Sequence, residues 1–399
     1  MVVVVGVDKF EDPTFDLEKA SNQIGSNVEI YRPPENYVFI RNGIRESDIN
    51  QGALGSCWLL STIGSFAARY DQRLLENVLN VKFNQKNGPR EGKLVFRFYR
   101  FNKFEDVIID DQLPLVEHKM ADDSRDWWVP LAEKAYAKFY DSYRNIDGGY
   151  PRVSSFNLTG GVCVDINSEK LTSRLYTTLS RLIVELYQTG RVCLTCGNKG
   201  DRQGHAQMEM GIVPWHAYSV LSAKRASTKD GKSVYLIQIR NPHGYNSNEW
   251  RGRWSDRDAN RWSTLVDEEF HNERDGTFWM EMSEFFDYFE LTTICLLPTT
   301  WSDQHQIDIY GVFDEGLNVP YDTYTKHMIE NNLQFLLIIP PEDAPDVELW
   351  MQLVLDLHEL RDFASKQISL NIYGQSSTQR LDLQYMKRGG YRRVVRSQN

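Results

Sequence analysis

The 399-residue sequence predicts an α+β chain with a helical lobe, a β-rich lobe and a further β-rich domain. Three observations lead to this prediction. Apolar residues recur at helical spacing in Gln51–Tyr70 and again in Trp127–Tyr140. Strand-like alternation dominates beyond Arg191, and is clearest in Trp215–Leu221 and Val234–Asn241. Short strand signals fill the last hundred residues, a pattern typical of part of a β-sandwich.

The composition narrows the class of protein. Hydrophobic residues make up 41% and charged residues 25%, as in soluble globular proteins. The net charge of −10 argues against a phosphate-binding surface, so we expect no nucleic-acid partner. The same excess of carboxylates is available to hard cations such as calcium.

The cysteines and the amino terminus indicate a cytoplasmic location. Five cysteines, an odd number scattered through a long chain, do not form a disulfide framework, which favours a reducing compartment. The opening segment, residues 1–7, lacks the basic flank and cleavage pattern of a signal peptide and is interpreted as a short strand. No apolar run approaches the length of a membrane span.

The first lobe continues, after Gln51–Tyr70, with strands and a second helix. Lys93–Phe101 alternates apolar and charged residues, and Asp106–Leu115 carries a second strand signal, so the two predict a hairpin. In Trp127–Tyr140 the apolar positions fall four apart, and a proline is tolerated in the first turn. Glycines near residue 150 end this lobe, which predicts a first domain over residues 1–150.

Cys57 is the leading candidate for a reactive residue. It follows a glycine-rich turn and begins an amphipathic helix, with Ser56 placed to supply an N-cap oxygen. A helix N-terminus favours anions, so we expect a lowered thiol pKa. Gln51 is close enough in sequence to donate, with the Cys57 N–H, to an oxyanion. A lone cysteine is more often buried and inert, but here the glutamine, the turn and the helix start coincide.

His216 and Asn241 are the candidate partners of Cys57. They lie in the two strands Trp215–Leu221 and Val234–Asn241, which read as antiparallel neighbours. If the connection is centred between Thr228 and Lys229, the two residues are directly opposite each other. A small slip of the turn leaves them diagonal neighbours. A cysteine nucleophile needs a base, and the base needs a third group to orient its ring.

Several segments together resemble the calpain family of cysteine peptidases. They are QGALGSCWLL, LAEKAYAKFY, WHAYSVL, RNPHGYNSNEWRGRWSD and DGTFWMEMSEFFDYFEL, in this order between about Phe10 and Leu297. The resemblance implies a papain-like core in two lobes, a helical lobe (1–150) with Cys57 and a β-rich lobe (151–298) with His216 and Asn241. It implies a calpain-type β-sandwich, short or incomplete, over residues 299–399.

The implied function is calcium-dependent, limited proteolysis of intracellular proteins through Cys57, His216 and Asn241. Gln51 matches the oxyanion residue of the family. Three departures from the family pattern lie near these residues. Ser56 stands where calpains usually have Asp, and His243 replaces the tryptophan that usually follows the Asn-Pro pair. Tyr245–Asn248 lengthens the loop that follows, so the shape of the substrate cleft is expected to differ.

The resemblance also implies two regulatory calcium sites in the core. The first uses the backbone near Arg41 and Gly43 with the carboxylates of Asp48 and Asp126, where calpains more often have Glu. The second uses Glu249, Asp256, the backbone of Glu273, and Asp275. Thr277 stands where a further carboxylate is usual, so the second site is expected to be the weaker.

The C-terminal region predicts strands and two charged segments. The strand signals are Ile307–Val312, Phe335–Ile339, Leu349–Leu357 and Gln367–Tyr373. An acidic stretch, 342–348, is read as a solvated loop or a calcium ligand. A basic segment, 387–396, is attractive to anionic phospholipid or is simply an exposed tail. No EF-hand pattern occurs, so no EF-hand-mediated small subunit is expected.

Three alternatives remain open. The first is a catalytically weak or inactive calpain-like adaptor that binds partners or membrane lipid, although the Cys, His, Asn and Gln are intact. The second is acyl transfer of the transglutaminase type, which normally uses an Asp where this chain has Asn241. The third concerns Cys193 and Cys196, which with His205 form half of a zinc motif whose second pair is lacking.

Overall fold

The computed structural model divides the chain into two compact units, residues 1–302 and 303–399. It describes residues 8–21, 28–34, 37–41, 43–68, 75–76, 80, 87–100, 103–116, 126–168, 173–190, 192–198, 209–245, 249–266, 273–297, 349–353 and 391–395. The predicted strand at residues 1–7 lies outside these ranges. Both helices and sheets occur, so the α+β class is confirmed.

The first half of unit 1 combines helices with short β-ladders. Its elements are α1 (Leu17–Ser21), β1 (Val28–Tyr31), α2 (Cys57–Ala67), β2 (Lys93–Arg100), β3 (Lys103–Asp110), β4 (Leu113–Val116), α3 (Trp128–Phe139) and α4 (Pro151–Thr159). The predicted hairpin is present as β2 and β3, which pair along their whole length. The second predicted strand, Asp106–Leu115, is two strands, because the chain leaves the hairpin after Asp110 and β4 pairs with β1.

The second half of unit 1 is built on one antiparallel sheet. Its elements are β5 (Val162–Asn167), α5 (Ser173–Gln188), β6 (Val192–Gly197), β7 (Ala217–Ser227), β8 (Ser233–Arg240), α6 (Ala259–Trp262), β9 (Thr277–Glu281), α7 (Met282–Tyr288) and β10 (Leu291–Leu296). The six strands run in the order β5-β10-β6-β7-β8-β9. Apolar side chains of this sheet form a core with α5 and α7. The predicted neighbouring strands are therefore β7 and β8.

Helix α2 packs directly on β7 and joins the two halves. The Ser219 hydroxyl donates to the Ser61 carbonyl at 2.9 Å, and the Val220 N–H donates to the Ser65 hydroxyl at 3.1 Å. Gly64 is required at this contact, because a Cβ there would lie 2.4 Å from the Ser219 hydroxyl oxygen. Pairing Ser61 with Ser219 sets Cys57, one helical turn earlier, beside the start of β7. The fold thus brings the predicted nucleophile to the strand that follows His216.

Buried side chains explain why α2 and α3 form where the sequence predicts them. Leu59, Ile63 and Phe66 of α2 are almost fully buried, and burial of each contributes about 2 kcal/mol. In α3, Leu131 and Ala135 share the buried face predicted from their spacing. In the part of the chain that the structure describes, no helix is long and apolar enough to cross a membrane.

Unit 2 is described only at β11 (Leu349–Leu353) and β12 (Tyr391–Val395), which pair antiparallel. The strand predicted at Leu349–Leu357 begins at β11. The other predicted C-terminal strands and the acidic stretch lie outside the described residues, as does half of the basic segment.

Candidate active site

The Cys57 thiol lies at the N-terminus of α2, half-buried between the helix and the start of β7. Ser56 occupies the N-cap position, but its hydroxyl makes no capping bond. It donates instead to the Glu133 carboxylate of α3 at 2.5 Å. The prediction that Ser56 supplies a cap oxygen is therefore wrong. The hydroxyl ties the residue before the nucleophile to a neighbouring helix.

The environment of Cys57 raises its thiol pKa. Burial is the main cause, while backbone hydrogen bonding at Ala217, Trp58 and Cys57 itself acts in the opposite direction. The expected lowering by the helix N-terminus is therefore wrong for this arrangement, because loss of solvent outweighs the nearby peptide dipoles. Burial therefore favours the neutral thiol over the thiolate in this structure. The contribution from Ala217 shows that the sulfur lies close to the residue that follows His216.

His216 and Asn241 are in direct contact. The Nε2 atom of His216 and the Oδ1 atom of Asn241 lie 2.8 Å apart, and both residues are buried. The register differs from the predicted one. Ser219 lies opposite Arg240, and a bulge separates Val220 from Ser222. Extended by one residue, this register sets Asn241 opposite Tyr218, so that Asn241 and His216 are diagonal neighbours on one face.

The orientation of the Asn241 amide is fixed by a second donor. The His243 N–H donates to Asn241 Oδ1 at 3.0 Å, so the amide oxygen faces both histidines. An oxygen at this position requires Nε2 of His216 to carry the proton. The other ring nitrogen of His216, Nδ1, is then the one with a free lone pair.

The His243 ring lies against the His216 ring, with centroids 4.4 Å apart and planes 40° apart. Burial, together with the charge of His243, lowers the pKa of His216 to about 4, and the hydrogen bond to Asn241 acts in the opposite direction. His216 is therefore neutral at pH 7 and able to accept a proton. His243 is exposed, and its imidazole stands at the position where the resemblance noted above implies that a tryptophan is usual.

Gln51 faces its own loop rather than an open oxyanion position. Its Nε2 donates to the Leu54 carbonyl at 2.8 Å, and its backbone N–H donates to the Pro242 carbonyl at 2.7 Å. Arg240 adds a second contact, because Nη1 donates to the Ile49 carbonyl at 2.8 Å. These two bonds connect the loop before Cys57 to the chain on either side of Asn241. The sequence did not reveal Arg240 or Glu133, because their partners are far away along the chain.

The residues of the first predicted calcium site are engaged with each other and with arginines. The Arg41 N–H donates to Asp126 Oδ2 at 2.9 Å, and the Arg45 N–H donates to Asp48 Oδ2 at 2.9 Å. Burial raises the pKa of Asp48, and the charge of Asp126 adds to this, so the two carboxylates are near each other. Gly43 lies between the arginines with a left-handed φ of 82°.

The residues of the second predicted site include three mutually repelling carboxylates. Burial, together with the charges of Glu249 and Asp275, raises the pKa of Asp256 to about 7. Glu249 accepts the Gly276 N–H at 2.9 Å, and Asp275 accepts the N–H of Thr277 at 2.7 Å. Glu273, two residues before Asp275, is exposed.

Both sets offer the oxygen ligands that a hard dication prefers, and a dication would relieve the repulsion around Asp256. Among the described residues, however, no three side chains of the metal-binding types converge on one ion position. The carboxylates fit calcium by chemistry and by charge. Their side chains would have to move to coordinate it.

Comparison with known proteins identifies the family. The family model described as calpain family cysteine protease matches residues 10–296. The chain is 32% identical over 308 residues to a calpain of Schistosoma mansoni, covering 72% of this chain and 39% of the relative. It is 33% identical over 293 residues to mouse calpain-12, covering 71% and 38%, and 34% identical over 278 residues to the mouse calpain-1 catalytic subunit, covering 67% and 37%. The chain therefore matches about two fifths of the length of these relatives.

Proposed function

The chain belongs to the calpain family of cysteine proteases, which are hydrolases that act on peptide bonds. We propose that it is a calcium-dependent endopeptidase that cleaves proteins at limited sites. Cys57 is the nucleophile, His216 the general base and Asn241 the group that orients the imidazole. The main support is the buried 2.8 Å contact between His216 and Asn241 at the strand end that faces Cys57. A protease of this kind has proteins as substrates.

The first step is attack of the Cys57 sulfur on the scissile carbonyl carbon, with its proton passing to Nδ1 of His216. This nitrogen is the available one, because Nε2–H is held by Asn241. The resulting imidazolium gives its proton to the leaving amine, and a thioester is formed with Cys57. Water, deprotonated by His216, then hydrolyses the thioester and frees the thiol.

The negative oxygen of the tetrahedral intermediate needs donors near the N-terminus of α2. The Cys57 N–H is one of the N–H groups of the first helical turn, which have no carbonyl partner within the helix. The side-chain amide of Gln51 is the second donor. One of its two N–H groups bonds to the Leu54 carbonyl, and the other can donate to the oxyanion. We propose that the loop carrying Gln51 adjusts when substrate binds, so that this second N–H turns toward the oxyanion.

We propose that calcium binding controls how the two halves of unit 1 are positioned for catalysis. When bound, the ion would supply a positive charge that draws together carboxylates that repel one another. Asp48 lies on the loop that leads to Gln51 and Cys57, and Asp275 lies next to β9, which pairs with β8. Arg240, at the end of β8, feels the charges of both. A change in charge at either set of carboxylates therefore acts on Arg240, which bonds to the loop before Cys57 through the Ile49 carbonyl.

The remaining parts of the proposal concern location and partners. We propose that residues 299–399 form a calpain-type β-sandwich, with anionic phospholipid as a partner of the basic C-terminal segment. No disulfide joins any two of the five cysteines, as in a reducing compartment, which supports a cytoplasmic location.

Digestion of casein by the 399-residue chain tests this function. Cleavage is expected in calcium, not in chelator, and is expected to be blocked by a cysteine-directed inhibitor. Cys57→Ser should lose activity with an unchanged melting temperature, while Cys196→Ala, a change in the sheet core, should retain it. Normal digestion by Cys57→Ser would contradict the assignment. A folded chain that never cleaves but still binds partners or lipid would support the adaptor alternative.

A further inference from the structure

Trp215, the residue before His216, has an unusual backbone and an unusual exposure. Its φ is 56°, in the left-handed region that bulky side chains rarely adopt and glycine adopts freely. Its side chain is 73% exposed, among the largest exposures of an apolar residue in the described part of the chain. Neither property assists folding, because the backbone is strained and the indole buries little surface.

Asn198, at the end of β6, holds the strained segment in place. Its Nδ2 donates to the Val213 carbonyl at 2.9 Å, and its N–H donates to the His216 carbonyl at 3.3 Å. The His216 N–H in turn points at Asn198 Oδ1, at 3.4 Å. The chain is thus fixed on both sides of Trp215, and its indole is left in solvent next to the general base.

Two more aromatic side chains are exposed beside the same buried pair. His243 lies on the His216 ring, and Tyr245, two residues later, is 73% exposed. The intervening Gly244 has a left-handed φ of 68° and donates its N–H to the Asn241 carbonyl at 2.9 Å. We call Trp215, His243 and Tyr245 the aromatic rim. Its three rings are carried by residues that precede His216 or closely follow Asn241, and the His243 ring contacts the His216 ring directly.

Resting on the proposed peptidase function, we propose that Trp215, aided by Tyr245, selects substrates with a large apolar or aromatic residue immediately after the scissile bond. His216 must reach the leaving amine to protonate it, so the first residue of the leaving segment passes beside His216. In the proposed mechanism the oxyanion donors of Cys57 and Gln51 contact the carbonyl oxygen on the other side of the scissile bond. An exposed indole at that point gains by covering an apolar side chain, especially an aromatic one that stacks on it.

Matched quenched peptides test the proposal. They share one sequence and differ only in the residue after the cleaved bond, which is Phe, Gly or Lys. In calcium, the wild-type chain should cleave the Phe peptide about tenfold more efficiently than the Gly peptide, measured as kcat/KM. In Trp215→Gly the ratio should fall to about two or less, and Trp215→Phe should recover most of it. The Trp215→Gly chain should melt at or above the wild-type temperature, because glycine accepts the left-handed φ.

Leu175→Ala provides the control, since Leu175 is another exposed apolar side chain, on α5. This variant should keep the wild-type ratio. An unchanged ratio in Trp215→Gly would overturn the proposal while leaving the peptidase intact. A wild-type preference for the Lys peptide would also overturn it, because the indole would then act through a cation–π contact. If the wild-type chain cleaves none of the peptides and no casein, the peptidase function itself fails, and this inference with it.

Discussion

The imidazole rings of His216 and His243 lie 4.4 Å apart, one buried and one exposed. A proton on either ring disfavours a proton on the other, and this repulsion adds to burial in holding the pKa of His216 near 4. His243→Phe keeps an aromatic cover and removes the charge. We expect the pKa of His216, followed by NMR of its ring carbons, to rise toward 6.5 in this variant. An unchanged pKa would show that burial alone sets it.

The same shift predicts how stability depends on pH. The folded pKa of His216 lies below the unfolded value of about 6.5, so the unfolded chain binds the proton first as the pH falls. Stability from this group is fully present above pH 6.5 and is lost between pH 6.5 and 4, by about 1 to 3 kcal/mol. His243→Phe should show a smaller loss between pH 7.5 and 5 than wild type in urea unfolding.

Asn241→Ala should lower kcat by about a hundredfold and change KM little, because the orientation of the His216 ring matters most in the transition state. Asn198→Ala is the matched control. Asn198 also bonds to His216, but through backbone atoms, so its loss should affect the ring much less. Equal losses of kcat in the two variants would indicate that general loosening, rather than ring orientation, is responsible.

Removing a carboxylate from the first calcium set should raise the calcium needed for activity. We expect Asp48→Ala to increase the half-activating concentration several-fold, because calcium affinity falls with ligand charge. Ser47→Ala, the neighbouring change, should leave it unaltered. Thr277→Glu should lower the requirement by restoring a carboxylate beside Asp275. If calorimetry detects no calcium binding and activity is the same in chelator, the calcium part of the proposal is wrong.

Arg240→Met should destabilise the chain by about 2 to 4 kcal/mol, because it removes a buried donor and leaves the Ile49 carbonyl without its partner. It should also reduce kcat, since the loop with Gln51 loses one of its two anchors. Arg225→Met removes an exposed arginine from β7 and should change the free energy of unfolding by less than about 0.5 kcal/mol. Similar losses from both substitutions would contradict the anchoring role.

Local patterns predicted the elements but not all of the chemistry. The spacing of Leu131 and Ala135 located α3, and strand signals located β7 and β8. The contact of His216 with Asn241 followed from the adjacency of those strands. The exact register did not, because Ser227 lies opposite Ser233, so the turn is centred on Asp230 rather than between Thr228 and Lys229, and a bulge shifts the pairing again.

Other features depend on contacts between distant segments. The bond from Ser56 to Glu133 joins residues 77 apart, so no local pattern indicates it. The raised thiol pKa of Cys57 reflects burial under β7, which sequence spacing does not report. The left-handed φ of Trp215 is likewise held by the hydrogen bonds of Asn198 to Val213 and His216. Tryptophan as a residue type does not indicate such a φ.

The most direct test of the account is the position of the covalent adduct left by an irreversible peptidyl epoxide. The labelled 399-residue chain would be digested and mapped by mass spectrometry, in calcium and in chelator. We predict one adduct, on Cys57, formed in calcium and lost in His216→Ala, with the four buried cysteines unmodified. An adduct on another cysteine, or an unlabelled Cys57 in a chain that still digests casein, would contradict the account.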